Sequence, residues 1–132
     1  MASWRVLAPA VLALVAAATV VRPGIALGSP ERAAGYTGYV ACSNSKTAPA
    51  SHSCGKNEKK AAFFVSENAD VRYDVCLKVP GPDDKLCARD QQAKKGKKIR
   101  NIITSEKPGK HTVTWYVDDK LVDSFTFRVR AD

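Results

Sequence analysis

Four cysteines, two histidines and two adjacent aspartate pairs are the residues of this chain whose types could do chemistry. Zinc binding favours closely spaced cysteine pairs or interleaved histidines, and His52-Ser53-Cys54 is the one close His/Cys pair in the sequence. No metal and no cofactor are therefore expected. An even number of cysteines in a chain this small reads instead as two disulfides wherever the chain is exported to an oxidising compartment. Cys42, Cys54, Cys76 and Cys87 allow three pairings. The sequential one, Cys42–Cys54 with Cys76–Cys87, closes two short loops and needs no long-range coincidence. All thiols are then used, which leaves no cysteine nucleophile.

His52 lies between Ser51 and Ser53. A Ser–His–Asp relay needs the imidazole oriented by a carboxylate and facing a hydroxyl in a defined structural context. The tripeptide has no G-x-S-x-G around it and no strand-turn-helix pattern, so a solvated loop histidine is the expectation. His111 is in register with Val113 and Trp115 and reads as a half-buried residue at the start of a strand. Asp83-Asp84 and Asp118-Asp119, the latter near Asp123, could be paired glycosidase carboxylates only if two of them faced each other across about 5–10 Å. A calcium site at Asp118, Asp119 and Asp123 would fall short of the six to eight or so oxygens that the ion takes. Adjacent aspartates in turns bind backbone N–H groups instead. No catalytic residue and no enzyme are expected.

The most distinctive surface feature is basic. Lys94, Lys95, Lys97, Lys98 and Arg100 cluster within a segment that reads as a hairpin turn, QQAKKGKK from Gln91 to Lys98 and onward. Such a patch suits an anionic cell-surface polymer, a lipid headgroup or an acidic extracellular protein. Specific nucleic-acid recognition is not expected, because neither stacking aromatics nor a recognition helix is interleaved. The plainer alternative is a solvated turn whose lysines protect neighbouring strand edges. Tyr36, Tyr39, Trp115 and Tyr116 could suggest a carbohydrate platform, but Trp115 and Tyr116 are consecutive on a strand and face opposite sides.

The N-terminal segment says where such a molecule would work. Arg5 precedes an uncharged run from Val6 to Val21, Arg22-Pro23-Gly24 breaks it, and Ala26-Leu27-Gly28 supplies small residues for cleavage. This is the pattern of a helical secretory signal peptide over residues 1–28. The alternative is a membrane anchor over 6–27, against which the run is shorter than the ~20 residues of a spanning helix. Residues 29–35 read as a flexible lead-in and 36–132 as one domain. Removing Arg5 and Arg22 takes the 21 basic residues to 19 against 13 acidic, a formal charge of +6. Hydrophobic content of 45% and charged content of 26% exclude a wholly disordered chain.

The elements that would position these groups are strands. Tyr36 to Ala41 and Ala61 to Ser66 favour β structure, with a polar, turn-rich loop from Ser43 to Lys60 between them. Val71, Tyr73, Val75, Leu77 and Val79 alternate with Arg72, Asp74, Cys76 and Lys78, which predicts one buried and one wet face. After the turn Pro80 to Asp84, Lys85, Cys87 and Arg89 alternate with Leu86 and Ala88. Cys76 and Cys87 thus share the polar face of a hairpin, as a cross-strand staple and not as a bridge between sheets. Ile99 to Thr104, the stretch from His111 to Val117 and Leu121 to Arg130 complete the set, with Trp115, Phe125 and Phe127 expected in the core. No segment from Tyr36 onward has a helical period. Short strands separated by turn signals predict a small antiparallel β-sandwich.

The closing stretch PGKHTVTWYVDDKLVDSFTFRV, Pro108 to Val129, resembles the final hairpin of bacterial secreted Ig-like domains. There, a Pro-Gly turn leads into an aromatic-bearing strand, a short Asp-containing turn and a closing apolar strand. Trp115 follows all four cysteines, so the antibody-type Cys…Trp…Cys spacing is not matched. The resemblance implies an Ig-like β-sandwich and brings no activity with it. The expectation is a secreted non-catalytic binding or structural module with a basic patch. The alternatives are a protease inhibitor or effector acting through the 43–55 loop, and a small secreted hydrolase.

Overall fold

The computed structural model describes residues 32–82 and 85–131. The expected signal peptide, the first part of the lead-in, and Asp83 and Asp84 lie outside the described residues. Among the described residues the chain forms eight strands and no helix: β1 (Tyr36–Ala41), β2 (Ser53–Cys54), β3 (Lys60–Ser66), β4 (Val71–Lys78), β5 (Lys85–Ala93), β6 (Lys98–Ile103), β7 (Gly109–Val117) and β8 (Lys120–Val129). They make two sheets, one of order β1-β3-β6 and one of order β2-β8-β7-β4-β5.

Period-two patterning explains the inner faces. In β7, His111, Val113, Trp115 and Val117 are buried, while Lys110, Thr112, Thr114 and Tyr116 between them are more accessible. Tyr73 and Val75 from β4 meet Phe127 and Val129 from β8 and Val40 and Phe64 from the smaller sheet in one core. Strand β3 departs from alternation because both of its faces are covered. Phe64 and Ala62 enter the main core, whereas Phe63 and Ala61 join Ala41, Tyr39 and Ala48 in a second cluster.

Two polar links hold the sheets together at opposite margins. Gly38 in β1 passes so close to Trp115 that a Cβ there would lie 2.5 Å from the indole ring. Its N–H donates to Asp123 Oδ2 in β8 at 2.7 Å, a carboxylate only 6% exposed. At the other margin Tyr73 donates its hydroxyl to Asn101 Oδ1, whose amide donates to Gln91 Oε1. The tyrosine's burial pushes its pKa up to about 12.

Both disulfides follow the sequential pairing. Cys76 and Cys87 are direct partners across β4 and β5, with Cα atoms 4.0 Å apart, so this bridge lies within one sheet. Cys42–Cys54 ties the end of β1 to β2. The β7–β8 turn places Asp118 and Asp119 at φ 51° and 64°, the left-handed pair of a type I′ hairpin.

Four sequence expectations need correction. The loop Ser43 to Lys60 contains β2, which pairs parallel to β8 through Ser53 and Cys54. Gln91 and Gln92 are not turn residues: a bulge near Asp90 lets β5 continue, pairing Gln91 with Tyr73 and Gln92 with Arg72. Asp74 secures that bulge by accepting from the Asp90 N–H and from Arg89. Leu86, expected on an apolar face, is 65% exposed: β5 is the edge of a five-stranded sheet, and the three-stranded sheet packed against it leaves an open groove at that position. His111 is wholly buried, at 0% exposure, and not half-buried.

Candidate functional site: the basic surfaces

The expected cluster of cations is divided by the fold. The segment from Lys94 to Lys97 is a tight turn that carries the chain from β5 in the larger sheet to β6 in the smaller one, so it is not a hairpin within one sheet. Gly96, at φ 75°, supplies the left-handed turn and donates its N–H to Ser66 O. Lys94 lies 3.6 Å from Asp70, and the Lys95 N–H donates to the same carboxylate. That hydrogen bond and the two nearby lysine charges hold Asp70 below the usual carboxylate range. Lys94, Lys95 and Lys97 are exposed at this corner.

Lys98 and Arg100 leave the corner with the strand. They lie on the outer face of the smaller sheet and act as struts for the 42–54 loop. Lys98 Nζ donates to Lys46 O at 2.8 Å, with its ammonium 5.1 Å from the Tyr39 ring centroid, and Arg100 donates to Asn44 O at 2.6 Å. The loop is thereby laid along the sheet over Phe63, stapled at its ends by Cys42–Cys54.

The structure does not bring the sequence's chemical candidates together. His52 stacks on Phe125 with centroids 4.2 Å apart and donates Nδ1–H to Thr126 O. Ser51 donates its hydroxyl to Ser53 O, and Ser53 Oγ accepts from Arg130. The Ser51 hydroxyl is thus spent on a carbonyl, and the His52 Nδ1 on Thr126 O, so neither is left to form a serine–histidine relay. His111 stacks on Phe127 and bonds Gly109 O through Nδ1 and Ser105 Oγ through Nε2. A carbonyl only accepts, so Nδ1 carries the proton and Nε2 accepts from the serine. Burial, with the charges of Lys60 and Lys107 adding to it and the hydrogen bond to Gly109 opposing it, lowers the pKa of this imidazole. Asp118 and Asp119 form the hairpin turn, while Asp123 is committed to Gly38, Ser124 and Arg32. Among the described residues no three His, Cys, Asp or Glu side chains group as metal ligands. The aromatics are also dispersed, Tyr36 lying on Phe64, Tyr39 on Phe63, and Trp115 in the core.

A second basic surface has no local signature in the sequence. On the outer face of the larger sheet, Lys78 in β4 is directly opposite Lys85 in β5, and Lys110 in β7 is opposite Arg128 in β8. Thr112 lies opposite both Lys78 and Thr126 and so joins the two pairs. Lys78, Lys85, Lys110, Thr112, Thr114 and Tyr116 line an open depression of about 470 Å3 there. Alternation marks each of these residues as outward-facing, but they are scattered over fifty positions of chain, and only the strand register collects them.

A smaller apolar groove of about 190 Å3 opens between the β5 and β6 edges, with Leu77, Leu86, Ile102 and Val113 in its walls.

With this geometry in hand, the comparisons concern the fold. No protein-family model and no curated sequence matches the chain. In three dimensions it is similar to an immunoglobulin-like protein from Pseudomonas aeruginosa, with a TM-score of 0.51 at 14% identity, over 75% of this chain and 95% of that one. The fold is immunoglobulin-like. At that identity the likeness carries architecture alone. The two disulfides and this Ig-like sandwich fit an extracellular protein.

Proposed function

We propose that the protein is an exported, non-catalytic binding or structural module that contacts an anionic extracellular partner electrostatically. The observation carrying this reading is the arrangement of cations at the surface. Lys94, Lys95 and Lys97 project from the β5–β6 corner, while Lys78, Lys85 and Lys110 line the outer face of the larger sheet. The immunoglobulin-like sandwich supports the reading as a rigid frame on which such groups are held in fixed register. The directed hydrogen bonds of His52, Ser51 and Ser53 favour it over hydrolysis. An inhibitor presenting the 43–55 loop is the less favoured reading, because that loop is laid against the smaller sheet by Lys98 and Arg100.

The test is retention of the oxidised chain, residues 29–132, on immobilised heparin and on anionic vesicles across a salt gradient. Retention at low ionic strength that fades as salt rises is expected, because exposed charges are screened within about 8 Å at physiological salt. Absence of retention on every polyanion at low salt would remove the proposal. Changing Lys94, Lys95 and Lys97 to Ala together measures the share carried by the corner.

A further inference from the structure

We propose that the outer face of the five-stranded sheet, where Lys78, Lys85, Lys110 and Arg128 meet, is a binding site for an acidic polysaccharide. This rests on the reading above that the partner is anionic, and it names the site and the ligand chemistry.

The register is the first argument. One row across the sheet runs Lys85, Lys78, Thr112, Thr126, and the next places Lys110 beside Arg128. Neighbouring strands are about 4.8 Å apart, so four cations share a small area. Like charges directly opposite each other destabilise a sheet. Here two such pairs occur side by side, and none of the four cations forms an ion pair with a described carboxylate. Asp74, on the same face of β4, is turned to Arg89 and to the Asp90 N–H. An anionic ligand would offset the repulsion that the register builds in.

The second argument is the floor. The Cys76–Cys87 bridge fixes β4 to β5 beside the lysines. Gly109, at φ 123°, approaches Pro80 so closely that an added Cβ would lie 3.0 Å from its ring. The cations therefore stand on a backbone that is already fixed, which lowers the entropic cost of binding.

The lining decides the ligand class. Ammonium groups are interspersed with the hydroxyls of Thr112 and Thr114 and the ring of Tyr116. That mixture matches a chain carrying both hydroxyls and spaced carboxylates or sulfates, lying along an open trough. A membrane surface would need apolar side chains entering the lipid beside the cations. The exposed large apolar residues do not meet that need. Leu86 and Ile102 border the groove between the sheets, and Leu121 pairs with Tyr116 at the far end of β7 from Lys110.

The experiment measures binding of heparin, polygalacturonate, uncharged dextran and phosphatidylserine vesicles to the parent chain, to K78A/K85A/K110A and to K94A/K95A/K97A. The parent should bind the two acidic polysaccharides and not dextran. K78A/K85A/K110A should lose about tenfold or more in affinity and show a shallower salt dependence, since fewer counterions are exchanged. The corner variant should lose less. K78R/K85R/K110R, which keeps the charge, should retain binding, and K78A/K85A/K110A should unfold at no lower temperature than the parent because like-charge pairs have been removed. Equal affinity of K78A/K85A/K110A and the parent would overturn the site while leaving an anionic partner in place. Binding to vesicles with none to polysaccharide would overturn the ligand class. Binding to no polyanion would overturn the functional reading itself.

Discussion

Asp123 is a carboxylate on the inner face of a strand, a position that ordinarily takes an apolar side chain. It is tolerated because its oxygens accept from the Gly38 and Ser124 N–H groups and from the Arg32 guanidinium. Removing it strands the buried Gly38 donor. Asp123→Ala should therefore cost about 2–3 kcal/mol in urea unfolding, and Asp123→Asn less. Gly38 itself has no room for a methyl group against Trp115, so Gly38→Ala should cost about 1–3 kcal/mol by the same measurement. His111 makes stability depend on pH. Its pKa in the fold lies below its ordinary value near 6.5 because burial disfavours the cation. The unfolded chain then binds the proton more readily, so this contribution is complete above about pH 6.5 and is lost as pH falls from there through the folded-state value. Urea midpoints should fall between pH 7 and 5 more steeply for the parent than for His111→Gln; parallel curves would contradict the assignment. The periodicity of β7 placed His111 on the core side. What periodicity could not supply was Ser105, whose hydroxyl satisfies the ring and permits full burial.

The elements differ in how readable they were. Strands β4 and β7 have one wet and one dry face, and such strands announce themselves by alternation. Alternation marks strand β5 only as far as Arg89, because its bulge interrupts the pattern and its remaining residues are two glutamines and an alanine. Their strand character comes from pairing with Arg72 and Tyr73. β2 is two residues long and exists only because Cys54 is bridged and β8 lies alongside. The bridges also differ in effect. Each closes a loop of similar length, with sequence separations of 12 and 11, so removing either should cost about 3 kcal/mol in the chain-entropy treatment. Cys42→Ser/Cys54→Ser should in addition release the loop over Phe63, so that trypsin cleaves after Lys46, whose side chain is already exposed but whose carbonyl is held by Lys98, under conditions where the parent and Cys76→Ser/Cys87→Ser resist. Limited proteolysis followed by mass analysis of the peptides distinguishes the two.

For the molecule as a whole, the sheet order decides which charges act together. The lysines from 94 to 98 are neighbours in sequence, yet the chain crosses between sheets within them. Lys98 and Arg100 then hold down a loop while Lys94 contacts Asp70. Lys78, Lys85, Lys110 and Arg128 are distant in sequence, and pairing of β5, β4, β7 and β8 brings them to one face. Polyanion retention should therefore respond more to charge removal on that face than at the corner, at equal change in net charge. Paired salt-gradient elutions of K78A/K85A/K110A and K94A/K95A/K97A make the comparison; an equal shift would mean that net charge alone governs contact.

Local information was enough to determine the all-β class, most strand positions, the place of the closing turn and the sequential disulfides. Each of these depends on residues a few positions apart: alternation along a strand, paired aspartates at a bend, cysteines flanking a short loop. Tertiary structure alone decided the burial of His111 and Asp123, the continuation of β5, the laying down of the 42–54 loop and the composition of the basic surfaces. Those depend on which strand lies beside which and in what register, and register is set by contacts between residues far apart in the chain.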